Sequence, residues 1–230
     1  MLKSMIEFML DTANIDAIGR CIDVFPVSGV TGNPGILKAE GKIDFFPHLK
    51  KIREIIGVER SLHIQVTAVD FQGIIEEAET ILRRIDDRVF IKIPVTEDGL
   101  KALGRLHERG VRITATAIYT QAQALMAAAC GADYLALYYN RMKNMDIDAD
   151  LSIKTLRAVF DREGTASKIL AASFRGIGQV SAAIAAGARG VTVSPSLLHD
   201  ALSLPVIQAA VNDFRRDWIS VQGDVSIACL

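Results

Sequence analysis

Phe90-Ile91-Lys92-Ile93-Pro94-Val95-Thr96 is a short apolar run with one lysine in its middle, and the reading of that lysine decides the rest of the chain. An ammonium group is costly to bury unless it is paired, so a lysine here is either partnered or held with a lowered pKa. Lysine is also the amine that forms Schiff bases with carbonyl compounds. On an edge strand the same residue would do no more than discourage sheet-to-sheet pairing. The flanking sequence chooses between these readings.

On both sides of this run, apolar β-like stretches alternate with longer amphipathic ones, the pattern of βα units and a parallel sheet. Strands are expected at 7–10, 25–30, 62–66, 89–93, 111–117, 134–139, 168–172 and 190–193. Helices are expected at 14–22, around 50–53 with its basic residues outward, and at 71–84, 97–109, 121–129, 150–162 and 179–186, then on to Trp218. Glycines 57, 110, 131 and 187 each follow an amphipathic run, where a helix C-cap is wanted. Eight units in one chain of 230 residues predict a single (β/α)8 barrel over residues 1–230, with 205–230 as a C-terminal helix and tail. Closure of a barrel removes the edge strands that the bland reading of Lys92 needs.

Composition narrows the partners. A net charge of −1 leaves no basic footprint for nucleic acid or an anionic membrane surface. No apolar run reaches the ~18 residues of a membrane span, and Met1 to Ser4 show no leader pattern, so the chain reads as cytoplasmic. Cys21, Cys130 and Cys229 have no paired spacing, and His48, His63, His107 and His199 are scattered over separate units. Neither pattern suggests a metal site, and His63 reads as an inner-layer residue.

In a barrel of this kind the chemistry sits where strands run out into loops. The C-terminal ends of the expected strands supply Asp11, Thr31 and Asn33, Gln65 and Thr67, Lys92, Thr116, Tyr138 and Arg141, Ser173 and Arg175, and Ser194. Loop starts are polar in any protein, and Asp11 or Ser194 alone would pass as a helix N-cap. A complete polar rim with a lysine in it is harder to assign to capping.

Six blocks in order carry a family resemblance: Leu10-Asp11-Thr12, Gly29-Val30-Thr31-Gly32-Asn33-Pro34, Ile91 to Thr96, Thr116-Ala117-Ile118-Tyr119, Tyr138-Tyr139-Asn140-Arg141 and Ala171 to Arg175. Together they resemble the transaldolase family, in its short fructose-6-phosphate aldolase branch. The resemblance runs from about Leu10 to Trp218 and implies a Schiff-base lysine on the fourth strand, where the strand count puts Lys92. It implies that Asp11, Thr31 and Asn33 meet the dihydroxyacetone portion of the substrate. Gln65, Thr116 and Tyr138 are expected to hold a water for proton transfer, with Tyr138 as acid/base. Arg141, Ser173 and Arg175 are expected to grip a phosphate, with no cofactor and no metal involved. Thr67, Ser194 and Ser196 read as structural.

A solution lysine has a pKa near ~10.4, so roughly one in a few thousand is neutral at pH 7, and only the neutral amine attacks a carbonyl. Desolvation raises that fraction. Two positions separate the branches, since transaldolases typically carry glutamate and phenylalanine where this chain has Gln65 and Tyr138. A phenol can protonate the enamine left on Lys92 and release free dihydroxyacetone. The expected reaction is therefore reversible cleavage of fructose 6-phosphate to dihydroxyacetone and D-glyceraldehyde 3-phosphate. Dihydroxyacetone transfer between sugar phosphates is the runner-up. A non-catalytic phosphosugar-binding barrel or an isomerase barrel without a covalent intermediate leaves Lys92 unexplained. Gly32 departs from the family pattern, which has a second threonine there.

After Pro205, Val206, Ala209, Ala210, Phe214 and Trp218 fall near helical spacing and form an apolar stripe. Such a stripe packs either on the barrel or on another subunit. The resemblance implies a homo-oligomer, a pentamer or decamer, in which this helix crosses to a neighbour.

Overall fold

Eight short strands pair in sequence order, each parallel to the next, and the eighth returns to the first to close a barrel. This computed structural model describes residues 6–230, so the reading of Met1 to Ser4 as lacking a leader lies outside the described residues. The strands are β1 (Glu7–Asp11), β2 (Val27–Thr31), β3 (Ser61–Gln65), β4 (Phe90–Pro94), β5 (Ile113–Ile118), β6 (Tyr134–Tyr138), β7 (Lys168–Ala172) and β8 (Gly190–Val193). Around them run α1 (Ile15–Val24), α2 (Pro34–Ala39), α3 (Phe45–Ile56), α4 (Phe71–Arg84), α5 (Glu97–His107) and α6 (Gln121–Ala129). The second half adds α7 (Tyr139–Lys143), α8 (Ala149–Glu163), α9 (Ile177–Ala185), α10 (Pro195–Leu202) and α11 (Pro205–Gln222). Among the described residues no helix is long and apolar enough to cross a membrane.

The (β/α)8 architecture is as expected, and β7, β8, α4 and α6 match the expected residues. Three local differences have physical causes. The second strand starts at Val27, because the backbone N–H of Phe25 still closes α1 onto Cys21. Tyr139 leaves the strand to open α7, where it is fully buried and donates its hydroxyl proton to Asp150 at 2.6 Å. Ile52, in the basic run of the third helix, faces the core rather than solvent.

Burial follows the helical period. On α4 the buried residues are Ile74, Ile75, Ala78 and Ile81, one stripe against the barrel, each isoleucine contributing about 1.5–3 kcal/mol. Two helix-to-strand joints use one device: Gly131 and Gly187 sit just past the caps of α6 and α9 at φ of +95° and +112°. A Cβ on Gly131 would stand 2.4 Å from the His107 ring, so glycine is required there for space as well as for conformation.

The barrel interior is not uniformly apolar. At its N-terminal end Glu7 accepts from the Tyr134 hydroxyl at 2.7 Å and from the Lys168 ammonium at 2.6 Å. One step higher His63 is fully buried, with ring nitrogens 2.9 Å from the Ser61 hydroxyl and 2.7 Å from the Thr114 hydroxyl. Its ring lies flat on Phe90, with centroids 4.6 Å apart. The imidazole therefore spans from β3 to β5 across the base of β4, as an inner-layer residue.

Candidate active site

Side chains alternate along a strand, and register puts Gln65 beside Lys92, Pro94 beside Thr116 and Asp11 beside Thr31. Asp11, Thr31, Gln65, Lys92 and Thr116 are thus carried by adjoining strands at the C-terminal mouth. Lys92 sits at the middle of β4 and is 2% exposed. Burial drives its pKa down, opposed by the Asp11 carboxyl and reinforced by the Arg141 guanidinium. Burial pushes Asp11 up, opposed by Lys92, by its hydrogen bond from Thr31 and by Arg141. The dry setting therefore drives both groups toward their uncharged forms, while each holds the other part-way back. Such a lysine keeps an amine available for attack on a carbonyl, with a carboxyl nearby to exchange protons.

Asp11 is oriented by a chain of hydroxyls. Thr31 donates to Asp11 Oδ1 at 2.8 Å, and the Thr31 and Thr192 oxygens are 2.7 Å apart. Thr31 spends its one hydroxyl proton on Asp11, so Thr192 must donate to Thr31. The capping alternative for Asp11 does not hold, because α1 is capped by Asn14, which accepts from Ala17.

On the far side of Lys92 the Thr116 hydroxyl donates to the Tyr138 hydroxyl at 3.2 Å. Among the described residues Gln65 Oε1 is buried without a hydrogen-bond partner. An orphaned buried acceptor costs about 1–3 kcal/mol, a cost relieved when a ligand or water donates to it. Gln65 on β3 and the Thr116–Tyr138 pair on β5 and β6 thus flank β4 with polar atoms that have capacity to spare.

The cationic side is built by the loops after β6 and β7. Arg141 stacks its guanidinium over the Tyr138 ring, 4.6 Å from the centroid, and donates to the Tyr119 hydroxyl at 3.4 Å. The Tyr119 ring meets Tyr138 edge-on, with centroids 5.4 Å apart. Arg175 is exposed. Neither arginine has a carboxylate within ion-pair distance among the described residues. Ser173 adopts φ of +65° and Ala117 φ of +57°, left-handed conformations that cost a non-glycine residue roughly 1–2 kcal/mol each. Both sit where a strand leaves the barrel mouth, a common place for stored strain.

Asn33 caps α2, its Oδ1 accepting from Ile36 at 3.1 Å, which leaves its amide N–H groups free to donate toward the mouth. Gly32 leaves space beside it: a Cβ there would meet nothing closer than the His63 carbonyl at 4.0 Å. Thr67, Ser194 and Ser196 stay outside the cluster. Thr67 donates to Glu77 at 2.8 Å, and the two serine hydroxyls face each other at 3.0 Å. A cavity of about 340 Å³, lined by Gln65, Val66, Thr67, Ile74, Pro94 and Thr96 among others, meets the polar cluster only at Gln65. Among the described residues no group of three or more His, Cys, Asp or Glu is placed to hold a metal ion.

Three further residues belong to the mouth's framework. Thr192 was legible as the inward position between Gly190 and Ser194 on β8, by strand alternation alone. Tyr119 lies within a quoted block but had no chemical signal of its own. Gln179, in the first turn of α9, had none either.

Residues 8–224 match the family model described as transaldolase/fructose-6-phosphate aldolase. A protein of Streptococcus pneumoniae (strain ATCC 700669 / Spain 23F-1) named "Probable fructose-6-phosphate aldolase" is 49% identical over 221 residues, covering 96% of this chain and all of its own. Among solved structures, one described as "Native KDPGal structure" superposes with a TM-score of 0.59 over 84% of each chain. At 16% identity that likeness concerns the fold alone.

Proposed function

The chain belongs to the transaldolase/fructose-6-phosphate aldolase family, and from that premise we propose a Schiff-base aldolase in which Lys92 carries the covalent intermediate. It is an aldehyde-lyase that reversibly cleaves fructose 6-phosphate to dihydroxyacetone and D-glyceraldehyde 3-phosphate. The observation that carries the reading is the nearly buried Lys92 amine, within electrostatic reach of Asp11 and beside Gln65 in the barrel register.

The neutral amine attacks the ketone carbon, and loss of water leaves an iminium. Asp11, held by Thr31, exchanges protons during that condensation and, with Asn33, meets the hydroxyls of the three-carbon donor. The iminium at C2 acts as an electron sink for the next bond along, C3–C4. As the 4-hydroxyl proton leaves, that bond breaks, glyceraldehyde 3-phosphate departs and an enamine remains on Lys92. Tyr138, with Thr116 and Gln65 holding a water, takes that proton and returns it to the enamine carbon. Hydrolysis then frees dihydroxyacetone and restores the amine. Arg141 and Arg175, with Ser173, grip the phosphate, guanidinium being suited to bidentate contacts with phosphate oxygens.

Intact-protein mass measurement after borohydride treatment with fructose 6-phosphate tests this. The expected result is a reduced three-carbon adduct in the wild type and none in Lys92→Ala, with dihydroxyacetone released without an acceptor sugar. An adduct discharged only when erythrose 4-phosphate is added makes the protein a transaldolase. No adduct with any ketose removes Lys92 from the chemistry.

The active unit is a homo-oligomer. The eighteen-residue α11 has no buried residue, and Val206, Val211 and Phe214 are 70%, 52% and 70% exposed. An apolar helix face of that kind is covered in solution, and a second copy of the chain supplies the cover. A pentamer or decamer is the assembly proposed. A cytoplasmic setting goes with a charged sugar phosphate as substrate and with free cysteines at 21, 130 and 229.

A further inference from the structure

Two loops of the mouth are fastened to each other by a side chain that takes no part in the chemistry above. The amide oxygen of Gln179 accepts the backbone N–H of Arg175 at 2.8 Å. Its amide nitrogen donates to Oδ1 of Asn140 at 2.9 Å. The backbone N–H of Asn140 donates in turn to the Ser173 carbonyl at 3.2 Å. The turn holding Asn140 and Arg141 is thereby closed onto the loop holding Ser173 and Arg175. The N–H of Arg175 also fixes which way round the amide lies, since a donor requires an oxygen opposite it.

Half of this arrangement is ordinary. Gln179 is the third residue of α9, counted from Ile177, and reaches back over the N-cap Gly176 to the backbone N–H of Arg175, just before the helix. That local contact needs only the oxygen. The bond to Asn140 crosses to the neighbouring βα unit and contributes nothing to the helix. Its consequence is a fixed spacing between the turns that carry Arg141 and Arg175, two cations without an ion-pair partner among the described residues. Two like charges gain nothing from being held on linked turns unless an anion sits between them.

Resting on the reading of Arg141 and Arg175 as the phosphate grip, we propose that Gln179 is a positioning residue. Its bridge to Asn140 sets the separation of the two arginines, and with it the preference for a phosphorylated over an unphosphorylated aldehyde. Loss of the bridge leaves both charges in place but lets the loops separate, so phosphate is held by one arginine at a time. The chemistry at Lys92 and Tyr138 is common to phosphorylated and unphosphorylated aldehydes, so a ratio between the two isolates the effect of the bridge on the phosphate.

The test breaks the bridge from both ends. Asn140→Ala removes it without adding charge and leaves the Gln179–Arg175 contact whole, whereas Gln179→Ala removes both. The preference for phosphate is read as the ratio of kcat/KM for glyceraldehyde 3-phosphate to that for glyceraldehyde, each condensed with dihydroxyacetone. Competitive inhibition by inorganic phosphate gives a second reading, independent of turnover of the phosphorylated substrate. The preference is expected to fall roughly fivefold in either variant and no further in the double variant, with phosphate inhibition weakened by a similar factor. Arg141→Ala and Arg175→Ala are expected to lower it more than about tenfold. If the arginine variants keep the preference, the phosphate reading itself fails and the proposal with it. If they lose it while Asn140→Ala retains both the preference and the inhibition, the arginines are set without the bridge and the proposal is overturned.

Discussion

The hydroxyl of Thr116 lies 3.2 Å from the hydroxyl of Tyr138 and donates to it, so the phenol's own proton is free to point into the mouth. Tyr138→Phe removes the proton donor while keeping the ring under Arg141. Release of free dihydroxyacetone is expected to fall about 10²- to 10³-fold, with the borohydride-trapped adduct on Lys92 still forming. Thr116→Val should cost less, roughly tenfold, because the phenol remains. Wild-type release by Tyr138→Phe would show that the phenol is not the acid.

Asp11 and Lys92 influence each other's protonation in opposite directions, which gives a signed pH prediction. Asp11 is the group that holds the Lys92 pKa up against burial. Asp11→Asn takes that support away, so the amine is neutral at lower pH than in the wild type. The acid limb of adduct formation with dihydroxyacetone is expected to move to lower pH, even as overall turnover drops about 10²-fold from loss of the proton shuttle. A limb that stays in place, measured by trapped mass against pH, rules out the coupling.

His63 makes the acid side of the stability curve steep. Burial, with Lys92, Arg53 and Lys168 adding to it, lowers its pKa from 6.5 to about 3. The unfolded chain takes up a proton on this residue below about pH 6.5, and the folded chain does not until about pH 3. Stability is therefore lost as pH falls through that window, by on the order of 5 kcal/mol in full. His63→Gln should be less stable at pH 7, where the imidazole's contacts with Ser61, Thr114 and Phe90 count. Its deficit should narrow as pH falls toward 4.5, as followed by urea midpoints. A deficit independent of pH would mean that His63 titrates normally.

The exposed face of α11 predicts assembly. Phe214→Asp places a charge on that face without touching the barrel. Sedimentation velocity is expected to show a wild-type oligomer and a predominantly monomeric variant whose circular dichroism retains the barrel signal. A monomeric wild type at micromolar concentration removes the proposal that a second copy covers this helix.

Most of the barrel was legible because its signals are local. Strand alternation and capping glycines such as Gly131 depend on neighbours in sequence, and they located the strands and most of the helices to within a few residues. The members of the mouth were legible for a related reason, since each ends a strand and the barrel topology brings strand ends together. What escaped was set by contacts between units. Tyr139 reads as strand from its neighbours and is drawn into a helix by a core position and a bond to Asp150. Phe25 likewise reads as strand and is spent closing α1. Gln179 is an unremarkable glutamine until the fold places Asn140 opposite its free amide nitrogen. The orphaned oxygen of Gln65 is a fact of packing that no spacing announces.

The imidazole of His63, lying across the base of β4, partitions the barrel lengthwise. Above it are the groups whose charge states respond to a substrate. Below it Glu7, Tyr134 and Lys168 satisfy one another in a closed set. The two ends are thereby open to separate modification: the lower set can be replaced by an apolar plug to raise the melting temperature, and the upper set can be varied to accept other donors, each with little reference to the other. For a protein engineer the molecule offers a workbench with its own foundation, and the dividing line runs through one histidine.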